Sequence, residues 1–345
     1  MKKLIDKLNI DGTLAYDEFC NLISKFKQDD REYAAFLARE ISKKHFDNKI
    51  FIRGLIEISS YCKNDCLYCG IRKSNKNAER YRLTKNQIMD CCKAGYDLGF
   101  RTFVLQGGED MYYSDEVVVD VVSDIRKNYP DCAITLSLGE RTKESYQKLF
   151  DAGANRYLLR HETADSQHYS KLHPANLTLE NRMECLKNLK DIGYQTGCGF
   201  MVGSPYQTVQ TIAKDLQFIS EFKPEMVGIG PFIPHKDTPF GEYEGGNLEL
   251  TLFLLSIVRI MLKKVLLPST TALGTIHKEG RQLGILAGAN VVMPNLSPSD
   301  VRKKYLLYDN KICTGDEAAE SLKSLKKTME GIGYEIAVSR GDYAN

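Results

Sequence analysis

Neither sign of charge is in excess in this chain: 47 Lys and Arg face 45 Asp and Glu, a formal net charge of +2 over 345 residues. With no basic block, it lacks the footprint of a nucleic-acid-binding protein. An uninterrupted apolar run of membrane-spanning length is missing too. The nearest approach, LTLFLLSIVRIMLKKVLL (250–267), is broken by Arg259, Lys263 and Lys264 and reads as a core helix, so no membrane partner is expected. The opening MKKLIDKLNIDG is basic but has no apolar core of a signal peptide, which makes a cytoplasmic protein the expectation. Low-complexity segments, long linkers and short repeats are absent as well.

Ten cysteines in a reducing compartment do not argue for disulfides. Cys20, Cys91, Cys92, Cys132, Cys185, Cys198 and Cys313 show no ligand-like clustering and read as small buried hydrophobes. The other three stand together in YCKNDCLYCG (61–70), where Cys62, Cys66 and Cys69 are spaced C-x3-C-x2-C.

Helical spacing marks residues 1–50 as an N-terminal helical extension. Short apolar runs then alternate with amphipathic stretches. Strands are predicted at 54–59, 102–107, 133–138, 156–160, 196–202, 226–232, 266–272 and 289–294. Eight strands alternating with helices predict an α/β fold, a (β/α)8 TIM-type barrel over 51–310, followed by a C-terminal helical tail over 311–345. An open doubly wound sheet is the alternative. In a barrel the chemistry belongs at the C-terminal ends of the strands, and the cysteine loop follows the first of them.

Three thiolates without a fourth ligand nearby fit a structural zinc site poorly, since zinc takes four. The nearest histidines are His45 and His161. A four-iron cluster held by three thiolates keeps one iron open to a ligand. Coincidence among ten cysteines is the remaining reading.

C-x3-C-x2-C after the first strand of such a barrel resembles the radical S-adenosylmethionine (SAM) enzymes. The resemblance implies one [4Fe-4S] cluster on Cys62, Cys66 and Cys69, with SAM on the open iron. Reductive cleavage of SAM to a 5′-deoxyadenosyl radical follows, with an external electron donor. QGGED (106–110) resembles the family's GGE motif, which puts Gln106, Gly107, Gly108 and Glu109 beside SAM. From RHET (160–163), Arg160 and Glu162 would share a face, Glu162 accepting from the ribose hydroxyls. Arg182 would pair with the methionine carboxylate. Tyr68 would border the adenine, and the region after the sixth strand, with Met226, would lie near it. Tyr305 completes the expected cofactor set.

A closer resemblance is to the FeFe-hydrogenase maturases of the HydE family, carried by YCKNDCLYCGIRKSN, RYRLT (80–84), LQGGEDMYY (105–113), LSLGE (136–140), RYLLRHETA (156–164), GIGPFIPHKDTP (228–239), TTALGT (270–275) and ANVVMPN (289–295). It spans about residues 50 to 313. It implies a small organometallic iron substrate, a cysteine-bound iron carrying CO and cyanide, supplied by the maturase HydG, with the product passing to HydF. Thr135, Ser137, Thr270 and Thr271 are the candidate substrate-binding residues. Methylornithine synthase, which shares a similar cysteine loop, is the alternative; biotin synthase is more distant, and a non-catalytic iron–sulfur protein is the rival of another class. Some relatives carry a second cluster with ligands spaced C-x7-C-x2-C. Here Cys313 is followed at those spacings by Ser321 and Ser324, so a single cluster is expected, with Cys313 a free thiol.

Overall fold

The computed structural model describes residues 1–312 and 319–343. Three helices open the chain, α1 (Lys2–Asp11), α2 (Tyr16–Lys25) and α3 (Gln28–Phe46). They are followed by β1 (Lys49–Ile52), β2 (Gly54–Ser59), α4 (Lys85–Asp97), β3 (Thr102–Gly107), α5 (Asp115–Asn128), β4 (Ala133–Ser137), α6 (Lys143–Asp151) and β5 (Arg156–Leu158). Then come α7 (Ser166–Leu172), α8 (Leu179–Ile192), β6 (Gln195–Cys198), β7 (Met201–Val202), α9 (Val209–Phe222), β8 (Met226–Val227), β9 (Gly230–Pro231) and α10 (Leu248–Met261). The last are α11 (Thr271–Ile276), α12 (Gly280–Leu286), β10 (Val291–Val292), α13 (Ser299–Arg302), α14 (Leu322–Gly331) and β11 (Glu335–Ala337).

Six strands pair in parallel in the order β2-β3-β4-β5-β6-β8. Single parallel bridges, Met226 to Leu266, Pro268 to Val291 and Leu55 to Asn295, carry the pairing round to where it began, so the sheet closes. The hydrogen-bonded path from Glu57 runs through Gln106, Ser137, Leu158, Gly197 and Met226 to Leu266. Pro268 and Phe51 both pair with Val291, so Leu266 lies level with residue 49, and 57 minus 49 gives a stagger of eight residues. Eight strands with a shear of eight is the TIM-barrel geometry. The seventh strand, expected at 266–272, is reduced to its bridges because Thr270 caps α11, whose first residue is Thr271.

Thr and Asp side chains cap the helices that enter from the upper loops: Thr84, Thr142, Asp165, Thr178 and Thr208 each accept from a first-turn backbone N–H. The apolar stretch α10 is buried from Thr251 to Met261. The N-terminal helices cover it, with the Phe26 and Phe253 rings stacked 4.1 Å apart. Its interruption, Arg259, is buried on the Gly288 carbonyl (2.8 Å) and Asn290 Oδ1 (3.0 Å). Among the described residues, no helix is long and apolar enough to cross a membrane.

The C-terminal segment is helical in α14 but adds a strand as well: β11 lies parallel to β1, Lys49 opposite Glu335. Residues 340–343 then close the lower end of the barrel. Buried Arg156 donates to Asp342 Oδ1 (2.6 Å), the Arg340 carbonyl (2.8 Å) and Gln195 Oε1 (3.0 Å).

Candidate functional site

The loop from Ser60 to Thr84 is fixed from beneath by one side chain. The Arg80 guanidinium donates to the carbonyls of Ser60, Ile71 (2.8 Å), Arg72 (2.7 Å) and Asn75 (3.1 Å). Its neighbours extend the brace: Tyr81 donates to the Glu57 carbonyl (2.8 Å), and Arg82 makes two bonds to Asp110 (2.7 and 2.9 Å). RYRLT is therefore the clamp of the cysteine loop, a role its sequence did not disclose.

Cys62, Cys66 and Cys69 are all half-buried and free. Burial pushes the Cys69 thiol up to about 12, with Cys62 as the next cause. Burial, then Cys69, then Cys62 push Cys66 well above the usual thiol range. The three sulfurs thus share one electrostatic neighbourhood, which a cationic metal centre would reverse by holding them as thiolates. Among the described residues, no three His, Cys, Asp or Glu side chains stand close enough to share a single metal ion. Thiolates on a four-iron cluster each bind a different iron, so the donor set fits a cluster.

Gly70, after the last cysteine, has a steric reason. A Cβ there would lie 2.2 Å from the Leu306 carbonyl oxygen and 2.3 Å from the His235 ring. Its N–H donates to the Leu307 carbonyl (2.9 Å). Gly108 is equally confined, its Cβ position 2.2 Å from the Tyr61 carbonyl oxygen and 2.8 Å from Cys62 Cβ. The end of β3 therefore lies against the cysteine loop.

Glu109 Oε1 accepts the Glu140 N–H (3.0 Å), while Oε2 is buried 3.3 Å from Lys63 Nζ without a hydrogen-bond partner. At the end of β5, Arg160 and Glu162 do face each other, Nη2 to Oε2 at 3.2 Å, Glu162 at a left-handed φ of 64°. His161 turns the opposite way, Nε2 to the buried Asp215 at 3.4 Å, and burial pushes that carboxyl up. Arg182 donates from Nε to Glu140 (2.5 Å) and from Nη1 to the Arg160 carbonyl (2.6 Å). Glu140, at the end of LSLGE, is a site residue the sequence reading missed.

Tyr68 Oη lies 3.1 Å from His173 Nε2. Since His173 Nδ1 faces the Tyr169 carbonyl (3.0 Å), which can only accept, the proton sits on Nδ1 and Tyr68 donates to Nε2. Burial, followed by Arg182, pulls His173 down to about 3, so the ring is neutral.

Below this layer, Gln106 Nε2 lies 3.4 Å from Tyr305 Oη. Thr135 Oγ1 and Thr270 Oγ1 are buried without hydrogen-bond partners, and Ser137 stands beside Gln106 in register. Thr271 begins α11 next to Thr270. Buried Glu57 takes Lys311 Nζ on one oxygen and Asn295 Nδ2 (2.9 Å) on the other. An acid inside an apolar strand was its visible signal.

Met226 departs from expectation. Its sulfur accepts from Arg53 Nη1 (3.0 Å), and it packs with Phe46, Leu266 and Val291. By the barrel's shear it sits low, near the level of Arg53, not beside the cysteine loop. It follows α9 directly and opens β8 instead of ending it. Cys91, Cys92, Cys132, Cys185 and Cys198 are buried and Cys20 is half-buried, while Cys313 lies outside the described residues.

Several buried polar atoms that form ion pairs but no hydrogen bonds, those of Glu109, Arg160 and Glu162, lie at the end of the barrel that carries the three thiols. Such a set accommodates a polar ligand next to a metal cluster. The sequence profile of the Radical SAM superfamily matches residues 56–219. Over 297 residues the chain is 46% identical to the [FeFe] hydrogenase maturase subunit HydE of Thermotoga maritima, covering 86% of this chain and 84% of that one.

The chain belongs to the radical SAM superfamily, in its HydE branch.

It is an enzyme of that type, and the family works with a [4Fe-4S] cluster and SAM. The 3-methylornithine synthase of Methanosarcina acetivorans is 30% identical over 331 residues, 94% of this chain and 91% of the relative. The crystal structure of methylornithine synthase superposes with a TM-score of 0.85 at 27% identity, covering 97% of each chain. That of the maturase HydG, 19% identical over 97% of this chain and 75% of its own, shares the fold with a TM-score of 0.80.

Proposed function

We propose that this protein acts in building the dinuclear iron subcluster of FeFe-hydrogenase, on a cysteine-bound iron carrying CO and cyanide. HydG supplies that substrate, HydF receives the product, and the work takes place in the cytoplasm, where thiols stay reduced. The observation that carries the choice is the identity: 46% to a HydE maturase against 30% to a methylornithine synthase, each over most of the chain.

Cys62, Cys66 and Cys69 hold the cluster. When bound beside it, SAM supplies a 5′-deoxyadenosyl radical on one-electron reduction. Gly107, Gly108 and Glu109 would hold the amino group of SAM, with Glu109 Oε2, ion-paired to Lys63 but without a hydrogen bond, as an acceptor for it. Glu162, held at its left-handed φ, accepts from the ribose. Arg182 has two nitrogens engaged and turns Nη2 to the methionine carboxylate. Tyr68, its hydroxyl spent on His173, borders the adenine with its ring. Gln106, Arg160 and Tyr305 would stand between SAM and substrate, and Met226, its sulfur bonded to Arg53, leaves this set. Thr135, Ser137, Thr270 and Thr271 donate hydroxyls to an anionic substrate, and the guanidinium of Arg160 offsets its charge.

The test is reconstitution. Anaerobic protein with SAM, reductant, HydG product and HydF should activate apo-hydrogenase, and with lysine should release no methylornithine. Methylornithine formation without hydrogenase activation would overturn the reading.

A further inference from the structure

The cysteine loop reaches the surface beside Tyr61, the residue before Cys62, which is 37% exposed. Next to it, in the turn after Glu109, Met111 is 76% and Tyr112 53% exposed. The Arg82 guanidinium lies 4.0 Å from the Tyr61 ring centroid and 5.1 Å from that of Tyr112. Asp110 fixes that guanidinium through two bonds and is itself held by the Ser59 hydroxyl (2.6 Å). The Tyr61 and Tyr112 rings are consequently pre-ordered, with Met111 exposed beside them, and large exposed apolar groups arranged around an arginine have the make-up of an interface centre. Exposed Lys63, Lys73 and Lys76 lie on the same loop, tied together by the Lys73 N–H to the Asn64 carbonyl (2.8 Å) and by Arg80. The acids among them are matched: Asp65 with Arg72 (2.8 Å), Asp110 with Arg82 (2.7 Å), Glu109 with Lys63 (3.3 Å) and Glu79 with Lys304 (3.9 Å), so the surplus positive charge of the face rests on Lys73 and Lys76.

We propose that this face is the docking site of a small acidic one-electron carrier protein of the ferredoxin type. The inference rests on the radical SAM assignment. Electron tunnelling falls steeply with distance, so a donor is best placed where the cluster ligands come nearest the surface. The lysines favour an acidic partner and speed its encounter. In the step itself, one electron leaves the carrier's reduced iron–sulfur centre and enters the enzyme's cluster; no bond is made or broken.

The experiment uses reconstituted holoenzyme and a reduced, acidic 2[4Fe-4S] ferredoxin. Cluster reduction is followed by stopped-flow absorbance and binding by calorimetry at two salt concentrations. Met111→Ser with Tyr112→Ser, and separately Lys73→Glu with Lys76→Glu, should each slow reduction about tenfold or more, as loss of steering and anchoring groups does. The lysine variant should also lose the salt dependence of wild type, while iron content and dithionite-driven SAM cleavage stay unchanged in both. Reduction at the wild-type rate in both variants would overturn the docking site, as would sedimentation showing the face buried between two copies of the chain. Failure of wild type to cleave SAM with dithionite would instead defeat the radical-enzyme assignment on which it rests.

Discussion

Arg182 Nε lies 2.5 Å from the Glu140 carboxylate, and both side chains are nearly buried. The α8 arginine that is to meet the SAM carboxylate is thus aimed by an acid from the loop after β4. Arg182→Ala should weaken SAM binding by roughly 2–5 kcal/mol, the usual cost of removing one partner from a desolvated charge pair. Glu140→Gln keeps a hydrogen-bond acceptor and should lose less. Calorimetric titration of SAM into the two proteins decides this: equal affinity in Arg182→Ala and wild type would remove Arg182 from the cofactor site.

Gly70→Ala puts a methyl into space held by the Leu306 carbonyl and the His235 ring. The chain must shift around the last cysteine, so iron uptake on reconstitution should fall well below wild type while the helical signal in circular dichroism persists. Replacing any one of Cys62, Cys66 or Cys69 with Ala should go further and abolish both the cluster absorption and SAM cleavage. An alanine variant at Gly70 with full iron content would show that the loop yields easily.

Thr270 carries a buried hydroxyl with no hydrogen-bond partner. Thr270→Val removes that hydroxyl at nearly constant volume and breaks no protein hydrogen bond, so thermal stability and SAM affinity should hold or improve slightly. Hydrogenase activation should fall, because the lost donor belongs to the substrate. Reduced SAM affinity in this variant would contradict the division between cofactor and substrate residues.

His173 is held down to about 3 by burial, against about 6.5 for a free imidazole. Between those values the unfolded chain binds a proton that the folded chain refuses, so stability rises with pH through this window and is lost as pH falls from about 6.5 towards 3. His173→Gln, which can still accept from Tyr68, should be less acid-sensitive. Urea midpoints at pH 7 and pH 5 would register this as a smaller drop than in wild type; an equal drop would assign the acid sensitivity elsewhere.

Much of the barrel was legible because most strands are short apolar runs and the stretches between them carry apolar residues at helical spacing. The three cysteines were legible because a linear motif carries them. Depth was not. By sequence Met226 belongs with the glycine- and proline-rich region near the adenine, yet it opens β8 at the level of Arg53, and no local pattern encodes that depth. Partners from distant loops were hidden for a related reason: Glu140 and Arg182 meet only because the loop after β4 converges with the start of α8, and Arg80 is informative only once its four carbonyl acceptors are folded around it. The seventh strand misled by composition, since a β-branched pair, Thr270 and Thr271, serves as a helix start.

The pairing of Lys49 with Glu335 sets a schedule for the polypeptide as it is made. The first strand of the barrel leaves the ribosome early, but its lower neighbour emerges only after almost all the rest. Until then Arg156 lacks Asp342, and the lower mouth stands open to water. Contacts this distant in sequence slow folding, so the Arg156–Asp342 closure of the lower end is among the last contacts the fold can make.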